Sequence, residues 1–171
     1  MANMRRSIDD ERNQLYKFFY SVIKEKQPSY FVAENVKGIL SLGQGSVIKQ
    51  IEKDFQDAGY ITTVNLVNMA DYGVPQTRQR VVILGQNKRL GCEMRITLPP
   101  KTHSKTPEKD GLQKWVSIKD AISHFPNPDE PNDVLNHTYS AYKVEYRNFT
   151  GHRETNPDKP SPTVLARGNG K

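Results

Sequence analysis

Apolar positions along the chain alternate between two periods, and these set out the elements. Leu15, Phe18, Phe19, Val22 and Ile23 recur at the i, i+3, i+4, i+7, i+8 spacing that gathers apolar groups on one stripe of a helix. Ser7, Asp9 or Asp10 is placed to cap its start by accepting orphan N–H groups, and Pro28 stops it. Tyr30-Phe31-Val32-Ala33-Glu34 comes next, short, rich in β-formers and apolar on both faces until its last residue. Such a strand is expected to be covered on both sides, as in a parallel sheet flanked by helices. A second helix is predicted from Ser46 to Ala58, with Val47, Ile51, Phe55 and Ala58 inward and Gly59 ending it in the left-handed conformation. Ile61 to Asn68 reads as a strand, residues 70–76 as a polar loop, and Arg80 to Gly85 as a further strand. Two strands joined without a helix can pair antiparallel, so this stretch reads as the closing edge of a mostly parallel doubly wound α/β sheet.

Beyond Gly85 the character changes. Prolines at 99, 100, 107, 126, 128, 131, 157, 160 and 162 break the chain into short pieces with weak periodicity. Within them Trp115 to Ile122 predicts a short helix capped by Ser117, with Ile118, Ala121, Ile122 and Phe125 packing inward. The chain therefore divides into residues 1–86, half of an α/β domain, and 87–171, an irregular mixed region.

Composition narrows the class. The 171 residues are 35% hydrophobic and 26% charged, near the globular average on its polar side, and suffice for one medium domain. The longest aliphatic run, Val81-Val82-Ile83-Leu84, falls far short of the roughly 20 residues of a membrane span. No apolar stretch comes after Arg5 and Arg6, so no secretory signal is read and a cytoplasmic location is expected. A single cysteine, Cys92, leaves no intramolecular disulfide and no zinc site of several thiolates, and His103, His137 and His152 are too scattered for a metal site. A net charge of +6 suits a polyanionic partner such as nucleic acid, although an excess of Lys is also common on proteins that bind none.

Two constellations carry candidate chemistry. Glu34 and Asn35 close the first strand, at the carboxyl end where open α/β sheets bind ligands; Glu34 otherwise simply turns to solvent. Arg78 and Arg80 stand two apart before the Val81–Leu84 run, so on a strand they share a face and form a fork for carbonyl or phosphate oxygens, or else a basic edge.

In combination these segments acquire a family likeness. Phe31-Val32-Ala33-Glu34-Asn35-Val36-Lys37-Gly38, then Gly59-Tyr60, then Ala70-Asp71-Tyr72-Gly73-Val74-Pro75-Gln76-Thr77-Arg78-Gln79-Arg80 resemble motifs VI, VII and VIII of the DNA cytosine-5 methyltransferases, in order and at fitting spacing. Leu98-Pro99-Pro100-Lys101-Thr102-His103-Ser104, the Trp115–Ile122 helix and Asn136-His137 are similar to the segments leading into the family's target recognition region. Lys159-Pro160-Ser161-Pro162-Thr163-Val164 is similar to the approach to motif IX. The resemblance implies a partial Rossmann-like methyltransferase sheet over 1–86 and a target recognition region over 87–171, stopping before motif IX is complete.

The family's Gly-rich S-adenosylmethionine turn and its Pro-Cys-Gln nucleophile motif are not found. Leu42-Gly43-Gln44-Gly45-Ser46 lies after the Glu-Asn-Val strand instead of the first strand, and Cys92 lies between Gly91 and Glu93. Met1 to Asn13 is similar to the stretch just beyond the family's Pro-Cys-Gln loop, so both ends are expected to be cut. The expectation is a truncated gene product, one subunit of a split enzyme, or an excised piece, with S-adenosylmethionine as cofactor of the complete enzyme and its binding site largely outside this chain.

In the reaction the resemblance implies, a cytosine is swung out of double-stranded DNA and a thiolate adds to C6, making C5 nucleophilic toward the cofactor's methyl group. Glu34 then matches the glutamate that serves N3, and burial would help it hold a proton. Arg80 matches the arginine at O2, Arg78 supports the site or touches phosphate, Asn35 shapes the backbone, and Gln76 with Pro75 fixes the loop. The isolated chain is expected to transfer no methyl group, and to need a complementary N-terminal methyltransferase polypeptide or to self-associate. In bacteria the family often serves restriction-modification. Lys143, Arg147 and Arg153, interleaved with Tyr139, Tyr142, Tyr146 and Phe149, read either as a DNA-contacting surface or as one helix with an inner aromatic stripe. The reading from another class is a noncatalytic DNA-binding or interaction module left from a decayed methyltransferase.

Overall fold

The computed structural model describes residues 15–91, 95–128, 130–138 and 155–163. These fall into two compact units by a division that crosses the chain three times: one takes the chain up to Val67 and Gln79–Pro100, the other Asn68–Arg78 and the chain from Lys101 onward.

The first unit begins with helix α1, Leu15–Lys26. Its inner stripe is made by Phe19 and Ile23 together with Tyr16 and Tyr20. Phe18 and Val22, expected inside, stay exposed, because the two tyrosines rotate the buried stripe by about one residue. The capping candidates Ser7, Asp9 and Asp10 lie outside the described residues. Strand β1, Tyr30–Val36, leads through two 3-10 turns into helix α2, Ser46–Asp57, which buries Ile48, Ile51 and Phe55. Gly59 (φ +93°) ends that helix as expected, its N–H donating to the Gln56 carbonyl.

Two long strands complete the unit, β2 (Tyr60–Asn68) and, after the two-residue β3 (Gln76–Thr77), β4 (Gln79–Asn87). The sheet order is β1-β4-β2, so the last strand inserts between the other two. β4 runs antiparallel to β1, with Phe31 opposite Gly85, Glu34 opposite Val82 and Val36 opposite Arg80. It is antiparallel to β2 as well, since Lys88 donates to the Gly59 carbonyl at one end and Met69 to the Arg78 carbonyl at the other.

Strand alternation sends Phe31, Val81 and Ile83 to the face covered by α1 and α2, where they join Ile23, Ile39, Ile48, Ile51, Phe55 and Tyr60 in one core. Phe31 sits at its centre, 4.5 Å from the Phe55 ring and 5.1 Å from Tyr60. Asn87, fully buried, donates to Gln27 Oε1 and the Pro28 carbonyl, and the Tyr60 hydroxyl donates to the same carbonyl at 2.7 Å, which fixes the turn after α1. On the opposite face the expectation for β1 fails. Tyr30, Val32 and Val36 are exposed, because no layer covers that half of the sheet among the described residues.

The second unit is built from short pieces. A 3-10 turn at Met69–Tyr72 precedes β3, which pairs in parallel with β7, Ser161–Pro162; β5 (His103–Ser104) pairs in parallel with β6 (Gln113–Lys114). Between them stand the single-turn helix α3, Pro107–Asp110, and helix α4, Ile118–Ile122. Ser117 caps α4 as the sequence predicted, in a reciprocal box with Asp120. Ile122 and Phe125, expected to pack inward, are exposed: a five-residue helix is too short to present a full apolar stripe.

Candidate active site

Glu34 and Arg80 meet because of strand register. Both occupy even-numbered positions of an antiparallel pair, and Arg80 lies opposite Val36, two residues beyond Glu34, so the two side chains share one face of the sheet. Arg80 Nε stands 2.6 Å from Glu34 Oε1. The guanidinium is withdrawn, its side chain 14% exposed, and its Nη1 also donates to the Gln79 carbonyl at 2.9 Å. The carboxylate is 54% exposed, where the sequence reading looked for burial. Glu34 lies two residues before the end of an edge strand, between the exposed Val32 and Val36. The result is a carboxylate and a guanidinium fork presented side by side, able to meet neighbouring donor and acceptor atoms of one planar ligand.

Adjacent groups stiffen this corner. Asn35 Oδ1 accepts from the Val36 N–H at 2.8 Å, turning the chain as β1 ends. Lys37 Nζ donates to Gln79 Oε1 at 3.0 Å, tying the turn after β1 to the start of β4.

The second unit holds the remaining candidates. Arg78 is not on a strand: it falls in the break between β3 and β4, so the expected sharing of a strand face with Arg80 fails. Its backbone is engaged, the N–H donating to the Gln76 carbonyl and the carbonyl accepting from Met69. Gln76 donates its N–H across Pro75 to the Val74 carbonyl at 2.7 Å, and the Pro75 carbonyl accepts from Ser161 at 2.8 Å. Thr77 Oγ1 donates to the Ser161 carbonyl and Thr163 Oγ1 to the Thr77 carbonyl, so the Pro75–Thr77 segment is fastened to a strand more than eighty residues away.

Asp71 escaped the sequence reading. It is buried at the head of the loop, where Oδ1 accepts from Trp115 Nε1 at 3.0 Å and Oδ2 pairs with Lys101 Nζ at 2.8 Å. Its carbonyl also accepts the Thr102 N–H. The hydrogen bond and charge of Asp71 raise the Lys101 ammonium above its usual value. The chain's lone tryptophan, 44 residues downstream, was the available signal: a buried indole N–H needs an acceptor. Gly73 (φ +84°) lies against His103, whose ring would stand 2.8 Å from a Cβ there.

The Gly-rich turn at Leu42–Gly45 is closed on itself. Gly43, Gln44 and Gly45 all have positive φ, Gln44 donates to the Ser41 carbonyl, and a Cβ at Gly45 would touch the Leu40 carbonyl. Among the described residues no group of three His, Cys, Asp or Glu is placed to hold a metal ion, and no helix is long and apolar enough to cross a membrane. Cys92, Lys143, Arg147, Arg153, His152 and the aromatic residues Tyr139, Tyr142, Tyr146 and Phe149 lie outside the described residues.

Comparison with known proteins gives the geometry its context. Residues 1–164 match the model of the C-5 cytosine-specific DNA methylases. The type II methyltransferase M.NgoFVII of Neisseria gonorrhoeae is 34% identical over 95% of this chain and 48% of its own length. M.BsuRI of Bacillus subtilis, another type II methyltransferase, is 39% identical over 95% of this chain and 35% of its own length. Among solved structures, an E. coli prophage protein described as a DNA modification methyltransferase superposes with a TM-score of 0.55 at 30% identity, covering 70% of this chain and 32% of that one. The chain thus spans about a third to a half of the length of these relatives.

Proposed function

The chain belongs to the C-5 cytosine-specific DNA methylase family, and from that premise we propose that it is one part of a DNA cytosine-5 methyltransferase of a restriction-modification system. The complete enzyme transfers a methyl group from S-adenosylmethionine to C5 of a cytosine flipped out of double-stranded DNA. In this reading residues 1–86, with β1, β2, α2 and all of β4 but its last residue, belong to the closing half of a Rossmann-like catalytic domain, and residues 87–171 belong to the target recognition region.

The Glu34–Arg80 pair is the observation that carries the proposal. Cytosine presents N3, an acceptor, beside O2, a second acceptor. When the base enters, the Glu34 carboxylate takes up a proton from solvent and exchanges its contact with Arg80 Nε for N3, to which it donates, while the freed Arg80 guanidinium donates to O2, where negative charge gathers when a nucleophile adds to C6. A carboxyl and a fork on one sheet face fit those neighbouring atoms. Asn35 fixes the backbone behind Glu34, Pro75 and Gln76 fix the loop, and Arg78 supports the site or touches phosphate.

The nucleophile and the cofactor site are assigned to a part of the enzyme outside this chain. The single cysteine has no Pro or Gln beside it, and the Gly-rich turn at Leu42–Gly45 follows the Glu-Asn-Val strand instead of a first strand, which supports this assignment. No step is therefore ascribed to this chain beyond holding the base and moving a proton at N3. The isolated chain transfers no methyl group.

Reconstitution tests the proposal. The chain is mixed with the portion of M.BsuRI N-terminal to the matched stretch, and radiolabelled methyl incorporation into plasmid DNA is measured. We expect incorporation only in the mixture, falling by about 100-fold or more with Glu34→Gln or Arg80→Met. Incorporation by the chain alone overturns the divided assignment. A stable, DNA-binding mixture without incorporation favours the noncatalytic DNA-binding module.

A further inference from the structure

Met69 to Arg78 is a closed excursion within the second unit. Its neck is a main-chain bond, the Met69 N–H donating to the Arg78 carbonyl at 3.0 Å. Just inside the neck the turn is wound tightly: Asn68 Oδ1 accepts from the Ala70 N–H, the Ala70 carbonyl from Gly73 and the Met69 carbonyl from Val74. Outside contacts hold both limbs. On the far limb Ser161 and Thr163 grip Pro75 and Thr77. On the near limb the contacts gather at Asp71, whose carbonyl takes the Thr102 N–H and whose carboxylate takes the Trp115 indole N–H and the Lys101 ammonium.

Asp71 is the only charged residue from Met69 to Thr77, and it is buried. A carboxylate is costly to bury unless well partnered, and its pairing with a Lys101 side chain that is 61% exposed adds little to stability. Stability alone is therefore a poor reason for a charge at this place. What the carboxylate supplies is two strong acceptors on one short side chain, which fix the turn against two residues at once. At the other end of the neck Arg78 is half-buried and has no ion-pair partner among the described residues. A cation without a partner on a fixed backbone suits a phosphate oxygen.

We propose that Asp71 is a positioning residue: through Trp115 and the Met69–Arg78 bond it holds Arg78 where the guanidinium meets a phosphate of DNA. The proposal rests on the functional reading above, in which DNA is the partner. A phosphate contact is electrostatic and indifferent to sequence, so its loss weakens binding to any duplex and lessens the salt dependence of that binding. Asp71 acts on the contact through Arg78, so the effects of removing the two do not add.

Fluorescence anisotropy of a labelled, mixed-sequence DNA duplex, titrated at several salt concentrations with the full chain plus the N-terminal portion of M.BsuRI, tests this. Arg78→Met and Asp71→Ala should each weaken binding by about three- to tenfold and lower the slope of log K against log salt by about one. The double variant should bind like Arg78→Met, within about twofold. Asp71→Asn, which keeps an acceptor for the indole, should bind like the parent. Trp115→Phe deletes the indole donor from the other side and should reproduce the loss seen with Asp71→Ala. Because Trp115 is the lone tryptophan, its emission in the chain alone reads the local contact: it should move to longer wavelength in Asp71→Ala and stay in place in Arg78→Met. Losses that add in the double variant, or an unchanged salt slope in Asp71→Ala and Trp115→Phe, overturn the proposal and leave Asp71 a purely structural residue. Binding that ignores Arg78→Met overturns it as well. A parent mixture that binds no duplex rejects the functional reading and the proposal together, whereas duplex binding with additive losses rejects the proposal alone.

Discussion

Replacing Gly85 by alanine adds one methyl group where the core has no room. Gly85 lies opposite Phe31 across the β1–β4 ladder, and a Cβ there would overlap Cδ1, Cε1 and Cζ of the Phe31 ring. The ring cannot slide away: Phe55 stands at 4.5 Å, Tyr60 at 5.1 Å and Phe19 at 5.7 Å between ring centres. Two effects compete. Loss of glycine's freedom in the unfolded chain favours alanine by about 0.4–1 kcal/mol. Overpacking a filled core costs about 1–3 kcal/mol, and confinement on three sides places this site toward the upper end. The net expectation is a loss of about 1–2 kcal/mol. Urea unfolding followed by circular dichroism should show the midpoint falling by about 0.5–1 M at unchanged m. The steric cause has its own signature. Gly85→Ala combined with Phe31→Leu should be less destabilising than the sum of the single changes, by about 0.5 kcal/mol or more. A Gly85→Ala midpoint equal to the parent's, or strict additivity in the double variant, would refute the account of this contact.

Two further expectations concern other groups. Burial, together with donation of its hydroxyl to Asp54 Oδ2 at 3.0 Å, pushes Tyr16 up to about 12. The protonated phenol is thus the form the fold favours, and its contribution to stability is complete below the unfolded value near 10 and lost as pH rises toward 12. Phenolate absorbance should show a late-titrating tyrosine that Tyr16→Phe removes; its survival in that variant assigns the late step elsewhere. Asp71→Ala strips the Trp115 indole of its acceptor, at about 1–3 kcal/mol, whereas Asp71→Asn keeps an acceptor and loses mainly the pairing with exposed Lys101, under about 1 kcal/mol. Equal unfolding midpoints for the two variants would contradict that division.

Much of the first unit was legible because apolar period alone marks α1, α2, β1, β2 and β4, and because Gly59 has a local job that needs no distant partner; in the second unit the same holds for Ser117. Order and exposure were not legible. β4 inserts between β1 and β2 through pairings some fifty residues apart, which no local pattern encodes. Tyr16 took a place on the inner stripe of α1 because its ring can bury its body while the hydroxyl reaches Asp54, and Tyr20 took another by packing edge-on to Phe55. At the candidate site, the sequence put Glu34 at a strand end and Arg80 at a strand start, while their contact arises from an antiparallel register that only the fold determines. Arg78 illustrates the opposite failure: two-residue spacing places side chains together only while the strand is unbroken, and here it breaks at that residue. Asp71 was hidden among ordinary loop residues, since its partners Trp115 and Lys101 lie 30 and more positions away.

The fastening of Pro75–Thr77 to Ser161–Thr163 makes a closed ring of chain whose two ends are pinned by backbone bonds. The entropy lost in pinning such ends rises only with the logarithm of the contour between them, roughly 0.6 kcal/mol for each doubling. The chain between the two anchors also carries β4 and the Asp71 partners Lys101 and Trp115, so changes of length belong in its exposed connections, where each costs that small logarithmic amount and leaves the pinned segment in place.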